Sequence, residues 1–212
     1  MESYRTIQGE SQGVYEEKKS RFIADVRHVE TEDQALSFLA EIRAAHPMAR
    51  HHVYAYILNA GNRVRYSDDG EPQKTAGLPV LDVLQHEELK DVACVVTRYF
   101  GGTLLGTGGL VRAYTKAPQN ALVKARFATF APCRDILVAL DYSLYEKLSY
   151  WVKTQGIVCV GTDFGADVTM TLRVLSENAD ETARAVEEFT QGKADVLVGE
   201  EQQQIIEDLA DL

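Results

Sequence analysis

The chain has 212 residues, of which 45% are hydrophobic and 25% charged, a composition typical of a globular protein with one large or two small domains. No run of 18 apolar residues occurs, and the opening MESYRTIQGES lacks an apolar signal core, so we expect a cytoplasmic protein without a membrane span. The net charge of −10 falls on residues 134–212, which hold 6 Lys/Arg against 16 Asp/Glu, whereas residues 1–133 hold 16 of each. Because the second part is acidic, it is expected to be a poor general nucleic-acid binder, and any RNA contact is expected in the first part.

Residues 2–13 are polar and predict an edge strand or a loose lead-in. Beyond them, Thr31 is a predicted N-cap with Gln34 at the capping-box position, and Asn59 to Asn62 predict a hairpin turn. Apolar periodicity predicts strands at 22–26, 51–58, 63–67 and 94–97, and helices at 32–45, 80–86 and 115–127.

The second part predicts a βαββαβ order, the ferredoxin-like arrangement. Its predicted strands are 135–141, 157–164, 167–175 and 194–198, and its helices, the first capped by Ser143, are 143–155 and 178–191. The tail 200–212 is expected to be a short helix or frayed. Because Pro132 disfavours a helix at the residue before it, we place the domain boundary there, giving domains 1–132 and 133–212.

A glycine-rich segment follows the predicted strand 94–97 and precedes a region of helical spacing. It begins with Arg98, Tyr99 and Phe100, and its five glycines are Gly101, Gly102, Gly106, Gly108 and Gly109. A helix N-terminus after such a loop can hold an anion, with Arg98 before the loop and Arg112 after it adding charge. The same pattern is also typical of a docking surface or of a tight strand-to-helix crossover. The segment matches neither the P-loop nor the dinucleotide-binding fingerprint.

An acidic segment lies between the predicted strand 63–67 and the next helix. Asp68, Asp69 and Glu71 are the ligand type that Mg²⁺ prefers, although such clusters also form solvated turns or pair with arginines such as Arg98. Thr75 is a predicted cap for the helix 80–86. His51 and His52 face opposite sides of their predicted strand and cannot easily bind one metal together, so a surface or polar-pocket role is expected for these histidines.

The remaining residues indicate no catalytic group. Cys94, Cys133 and Cys159 are far apart in apolar surroundings, which predicts reduced, buried thiols and no disulfide or zinc site. No serine or cysteine lies in a nucleophile motif. We therefore predict no catalytic residue and no cofactor.

Four segments resemble the IMPACT/YigZ family: KKSRFIA (18–24), HHVYAYIL (51–58), SDDGEPQKTAGLP (67–79) and VVTRYFGGTLLGTGGLVRAYTKA (95–117). The resemblance implies an α+β protein, with an N-terminal domain of the ribosomal-protein-S5-domain-2-like fold. It implies a C-terminal domain similar to the last domain of elongation factor G. The chain departs from the family pattern at Lys74 and His52, so His51 is the better candidate for a shared role.

Two classes of function remain open at this point. Eukaryotic members of the family regulate translation, so the first hypothesis is a non-enzymatic regulator that contacts RNA, the ribosome or a ribosome-associated protein through the glycine-rich segment. The second is an enzyme or sensor for a phosphorylated small molecule, with Mg²⁺ held by Asp68, Asp69 and Glu71 opposite the glycines. A third interpretation is structural, with the two segments packed on each other through pairs of carboxylates and arginines.

Overall fold

The structure is a computed structural model that describes the backbone of residues 3–207 and the side chains up to Gln204. The chain forms two compact units, Tyr4–Ala128 and a second that starts at Thr129. Each unit has its own buried apolar core. The α+β class predicted from the sequence is confirmed.

The first unit is built on five strands in the order β2-β3-β6-β4-β5, with every neighbouring pair antiparallel. The strands of this sheet are β2 (Glu10–Glu17), β3 (Ser20–His28), β4 (His51–Leu58), β5 (Arg63–Ser67) and β6 (Val92–Tyr99), and a further strand, β1 (Tyr4–Gln8), lies outside it. Its helices are α1 (Glu32–Ala45), α2 (Gly77–His86) and α3 (Gly106–Leu122), with a 3₁₀ turn at Ala60–Asn62. The predicted edge strand or lead-in at residues 2–13 corresponds to β1 and to the first part of β2, which is an edge strand of this sheet.

Both faces of this sheet are covered by helices. Val95 and Val96 are neighbours on the central strand β6, and they point to opposite faces because side chains alternate along a strand. Val95 packs with Phe38 of α1, whereas Val96 belongs to the larger core that includes Leu84 of α2 and Tyr114 of α3. This burial on both sides explains why β6 is a nearly continuous apolar run.

Helix α1 has the boundaries that the sequence predicts. Gln34 donates its backbone N–H to Thr31 Oγ1 at 3.2 Å. In return the Gln34 side chain accepts a hydrogen bond from the Glu30 backbone N–H at 2.7 Å, one residue before the cap. Local hydrogen bonds therefore fix the start of this helix, as expected of a capping box.

Helix α3 starts earlier and ends earlier than the predicted helix 115–127. It begins at Gly106, within the glycine-rich segment, and ends at Leu122, with Pro118 in its interior. Phe127 instead belongs to strand β7 (Arg126–Leu140). Strand β2 packs closely against this long helix, since a Cβ on Gly13 would lie 2.2 Å from the Ala121 nitrogen.

The second unit confirms the predicted ferredoxin-like order. After β7 come α4 (Tyr142–Thr154), β8 (Val158–Phe164), β9 (Val168–Leu175), a 3₁₀ turn (Ser176–Asn178), α5 (Ala179–Thr190) and β10 (Asp195–Glu207). Within this unit β10 pairs with β7, β7 pairs with β9 and β9 pairs with β8. Both helices contribute to one core, in which Leu148 of α4 and Val186 of α5 pack with Ile136, Met170 and Leu172.

Four local expectations in this half are wrong. Pro132 does not close a helix, because strand β7 runs through it without a break. Helix α4 is preceded by Asp141, so Ser143 lies inside it. Strand β10 continues to Glu207 in place of the expected helical or frayed tail, of which residues 208–212 lie outside the described part. Cys159 is exposed, on a strand whose side chains are mostly open to solvent.

Candidate functional site

The glycine-rich segment leaves the sheet at the end of β6 and turns into α3. Gly101 is required by a close approach of two chain segments, because a Cβ there would lie 2.1 Å from the Lys19 carbonyl carbon. Its backbone N–H donates to the buried Ser20 hydroxyl at 3.0 Å. Gly106, the first residue of α3, has φ +72, which favours glycine. Steric requirements therefore explain some of the glycines in this segment, as expected for a tight strand-to-helix crossover.

The N-terminus of α3 is open. No side chain caps it, and Gly106, Thr107 and Gly108 are exposed. The first N–H groups of a helix have no partner inside the helix, and the helix dipole places partial positive charge there. This end of α3 can therefore accept a negatively charged group, as the sequence predicts.

Arg98 is not a free surface charge beside the glycines; it pairs with the acidic segment, which was one of the alternatives that the sequence left open. Its Nη1 lies 2.6 Å from Glu71 Oε1, and the two side chains are only 8% and 4% exposed. Tyr114 of α3 donates a second hydrogen bond to the same oxygen at 2.8 Å. The Arg98 Nε is buried without a hydrogen-bond partner, so the guanidinium retains unused donor capacity.

Arg112 also has a carboxylate partner, so it does not provide a free positive charge beside the glycines. Its Nη2 and Nε both donate to Glu17 of β2, the latter at 3.2 Å. This guanidinium lowers the pKa of Glu17 below its usual value. The pair joins the edge of the sheet to the exposed side of α3.

Asp68 caps α2, which corrects the expectation that Thr75 does so. Asp68 Oδ1 accepts hydrogen bonds from the Ala76 and Gly77 N–H groups at 3.1 and 2.8 Å, and Oδ2 accepts from Lys74 N–H at 2.9 Å. The Thr75 hydroxyl instead donates to the Pro72 carbonyl. A carboxylate at this position satisfies the first N–H groups of α2 and complements its dipole.

Asp69 connects the acidic segment to β4 and α1. Its carboxylate accepts from the His52 backbone N–H at 2.7 Å and from Arg43 at 3.0 Å. Its carbonyl oxygen accepts from His51 Nδ1 at 2.8 Å, which places the ring proton on Nδ1. His51 Nε2 is therefore the nitrogen left to bind another group.

These contacts remove the basis for a Mg²⁺ site on Asp68, Asp69 and Glu71. One carboxylate caps a helix, one joins two elements and the third pairs with Arg98. Within the described residues, no group of three or more His, Cys, Asp or Glu side chains is arranged to hold a metal ion.

A groove of about 850 Å³ joins the two segments within the first unit. Its polar wall includes His51, Glu71, Arg98 and the start of α3. Its rim is apolar and unusually exposed, at 85% for Met48, 82% for Leu104 and 56% for Phe100. The remaining lining residues are Arg50, Pro72, Tyr99, Leu105, Gly106, Thr107 and Leu110.

The groove gathers only part of the predicted site. Of the candidate residues it brings together His51, Glu71, Arg98, Tyr99, Phe100 and Gly106. The candidates that do not line it are Asp68, Asp69, Thr75, Gly101, Gly102, Gly108, Gly109 and Arg112. The sequence reasoning missed Met48 and Leu104, since a single apolar residue in a loop has no periodic signal that distinguishes it.

The fold defines a two-domain protein with a groove beside the glycine-rich segment of its first domain and a ferredoxin-like second domain. The model of the Impact N-terminal domain matches residues 18–122, and that of a domain of unknown function, DUF1949, matches residues 138–193. The chain belongs to the IMPACT family.

Relatives match along most of the chain. IMPACT family member YvyE of Bacillus subtilis is 34% identical over 203 residues, covering 94% of this chain and 93% of that protein. IMPACT family member YigZ of Escherichia coli is 32% identical over 191 residues, covering 89% and 94%. A crystal structure of a hypothetical protein has a TM-score of 0.61 and 32% identity, covering 95% of this chain and all of that one.

No helix in the part of the chain that the structure describes is both long enough and apolar enough to cross a membrane.

Proposed function

We propose that this protein is a non-enzymatic binding protein linked to translation. It contacts RNA, the ribosome or a ribosome-associated protein through the glycine-rich surface, defined here as residues 100–109 together with the groove beside them. The observation that carries the proposal is the exposure of Phe100 and Leu104 at the rim of that groove. Large apolar side chains that cluster on a surface mark interaction sites more often than isolated ones do.

The charges of the groove decide what kind of contact is expected. Glu71 and Arg98 neutralise each other, and Glu17 matches Arg112. Arg50 lies at the groove, is exposed and has no ion-pair partner among the described residues. Apolar contact with Phe100, Leu104 and Met48 is therefore expected to supply most of the affinity, with a small positive contribution from Arg50 and α3.

The alternative of a Mg²⁺-dependent enzyme has less support. The groove does join the acidic and glycine-rich segments, as that hypothesis requires. However, the Asp68 carboxylate accepts a hydrogen bond from the start of α2, and the Asp69 carboxylate accepts hydrogen bonds from β4 and α1. Their carboxylates are committed to holding the fold, which leaves Glu71 as the only one of the three that lines the groove.

A pull-down from cell lysate tests the proposal. The wild-type chain is compared with a Phe100→Ala/Leu104→Ala variant, with and without RNase, and ribosomal RNA and ribosomal proteins are quantified. The matched control is Leu36→Ala/Val123→Ala, which removes two exposed apolar side chains that do not line the groove.

We expect ribosomal components with the wild type and the control but not with the groove variant. Sensitivity to RNase would assign the contact to RNA, and insensitivity would assign it to protein. Equal recovery by all three folded proteins, or no specific recovery by any of them, would contradict the proposal.

A further inference from the structure

We infer that the outer edge of strand β8 binds an extended peptide segment in which apolar and basic side chains alternate. This edge belongs to the second unit, whereas the groove belongs to the first, so the site does not depend on the proposed function. A peptide that adds a strand to a sheet gains affinity from backbone hydrogen bonds, and its alternate side chains determine specificity.

Strand β8 ends its sheet on one side. It pairs with β9, and no further strand of the described part of the chain lies beyond it. Most of its side chains are exposed, Val160 and Phe164 among them. The outward N–H and C=O groups of such a strand have no partner in the sheet and form a template for another chain.

The other sheet of this protein has edges that are protected. At β2, the carbonyl groups of Gln12 and Val14 accept hydrogen bonds from side chains of α3. At β5, Arg63 and Arg65 provide two exposed charges. Strand β8 contains no lysine, arginine or proline, which are the residues that most often prevent pairing at an edge.

The two faces of β8 differ in chemistry. Its pairing with β9 is regular from Gly161 to Phe164, after a register shift between Cys159 and Gly161. Phe164 is opposite the buried Val168, whereas Asp163 is opposite Thr169 and therefore points to the other face. A strand added to this edge would place alternate side chains beside Phe164 and beside Asp163.

Phe164 belongs to an exposed aromatic cluster. Its ring centroid lies 5.3 Å from that of Tyr145 in an edge-to-face contact and 6.3 Å from that of Tyr142. Phe164 is 56% and Tyr142 53% exposed. The Tyr142 hydroxyl donates to the Gly165 carbonyl at 2.9 Å, which ties α4 to the turn after β8. This cluster can bury the apolar side chains of an added strand.

The charge of this region favours a basic partner. Residues 156–172 contain Asp163 and Asp167 but no lysine or arginine. The next cation, Arg173, is paired with Asp135 at 2.8 Å. Residues 134–212 carry the whole net charge of −10, so a second copy of this edge or a nucleic acid would be repelled.

The test is an NMR titration of the ¹⁵N-labelled full chain with an amidated seven-residue peptide of alternating lysine and valine. One control peptide has glutamate in place of lysine, and a second has the lysines and valines in two blocks. We expect saturable amide shifts centred on residues 161–164 and slower hydrogen exchange along β8. The alternating basic peptide should bind at least about tenfold tighter than the acidic one and about fivefold tighter than the block peptide.

A charge reversal shows whether the contact is specific. Asp163→Lys should weaken the alternating basic peptide at least about tenfold and strengthen the acidic one. Asp195→Lys, at an exposed position on β10, makes the same change in net charge and is the matched control. It should change neither affinity by more than about twofold, because exposed charges outside the site are screened by salt.

Three results would overturn the inference. The first is the absence of saturable shifts in β8 with the alternating basic peptide. The second is equal weakening by Asp163→Lys and Asp195→Lys, which would indicate general attraction to an acidic domain. The third is a set of β8 shifts that change with protein concentration without peptide, which would assign the edge to a second copy. The titration involves neither a ribosome nor the groove, so its failure leaves the pull-down result standing, and the reverse also holds.

Discussion

Arg98 at the end of β6 and Glu71 before α2 form an ion pair that is almost completely buried, and Tyr114 of α3 donates to the same carboxylate. Three elements that are separate in the sequence thus meet at one oxygen atom, Glu71 Oε1. Glu71 and Arg98 lie in the wall of the groove, and their pairing fixes the position of the acidic segment relative to the sheet.

Glu71→Gln should lower the free energy of unfolding by about 3 kcal/mol, since it leaves the Arg98 guanidinium buried without a counter-charge. Urea denaturation followed by circular dichroism measures this loss. The matched control is Glu17→Gln at the exposed pair with Arg112, which should change stability little. A cost at Glu71 no larger than at Glu17 would show that the buried pair does not stabilise the fold.

Asp68→Ala should cost about 1–2 kcal/mol of stability, because the substitution leaves the first N–H groups of α2 without an acceptor. Hydrogen exchange of the Ala76 and Gly77 amides should accelerate at the same time, since both donate to Asp68 Oδ1. Thr75→Ala serves as the comparison, since it removes the hydroxyl that donates to the Pro72 carbonyl and leaves the Asp68 contacts in place. A larger loss of stability from the substitution at Thr75 than from that at Asp68 would indicate that Thr75, and not Asp68, caps α2.

Gly101→Ala and Gly108→Ala should have opposite effects. The new methyl at residue 101 would lie 2.1 Å from backbone atoms of Lys19, so it should destabilise the chain by about 1–3 kcal/mol. At residue 108, inside α3, nothing lies within 4 Å of a Cβ, and alanine should stabilise the helix by up to about 1 kcal/mol. Thermal denaturation of the two variants measures both effects. Equal destabilisation would mean that the close approach to Lys19 is not what requires Gly101.

The ionisation of Tyr56 should lower the free energy of unfolding in strong alkali. Burial and the hydrogen bond to Glu32 raise the pKa of Tyr56 to about 12, compared with 10.0 for a free tyrosine. The unfolded chain therefore loses this proton first, and the free energy of unfolding decreases as the pH rises from about 10 to about 12. Denaturant titrations across this range should show a shallower decline for Tyr56→Phe. The same slope in both proteins would contradict the raised pKa.

Much of the architecture could be predicted because its determinants are local. The Thr31–Gln34 capping box lies within four residues, and the apolar periods of β4, β6 and the second unit are visible in short windows. The prediction failed at the start of α3, because the glycines after Phe100 suggested a loop, yet the helix already begins at Gly106.

The sequence predicted which residue types occur in the candidate site, but not which side chains pair with each other. The sequence by itself determined that a glycine-rich turn, two arginines and three carboxylates belong to one α+β domain. Only the tertiary structure decided that Arg98 joins Glu71, that Asp68 caps α2 and that Met48 and Leu104 face the same groove. The physical reason is that burial and ion pairing depend on which segments the sheet register brings together, and that register places His51 opposite Arg98 across 47 residues of chain.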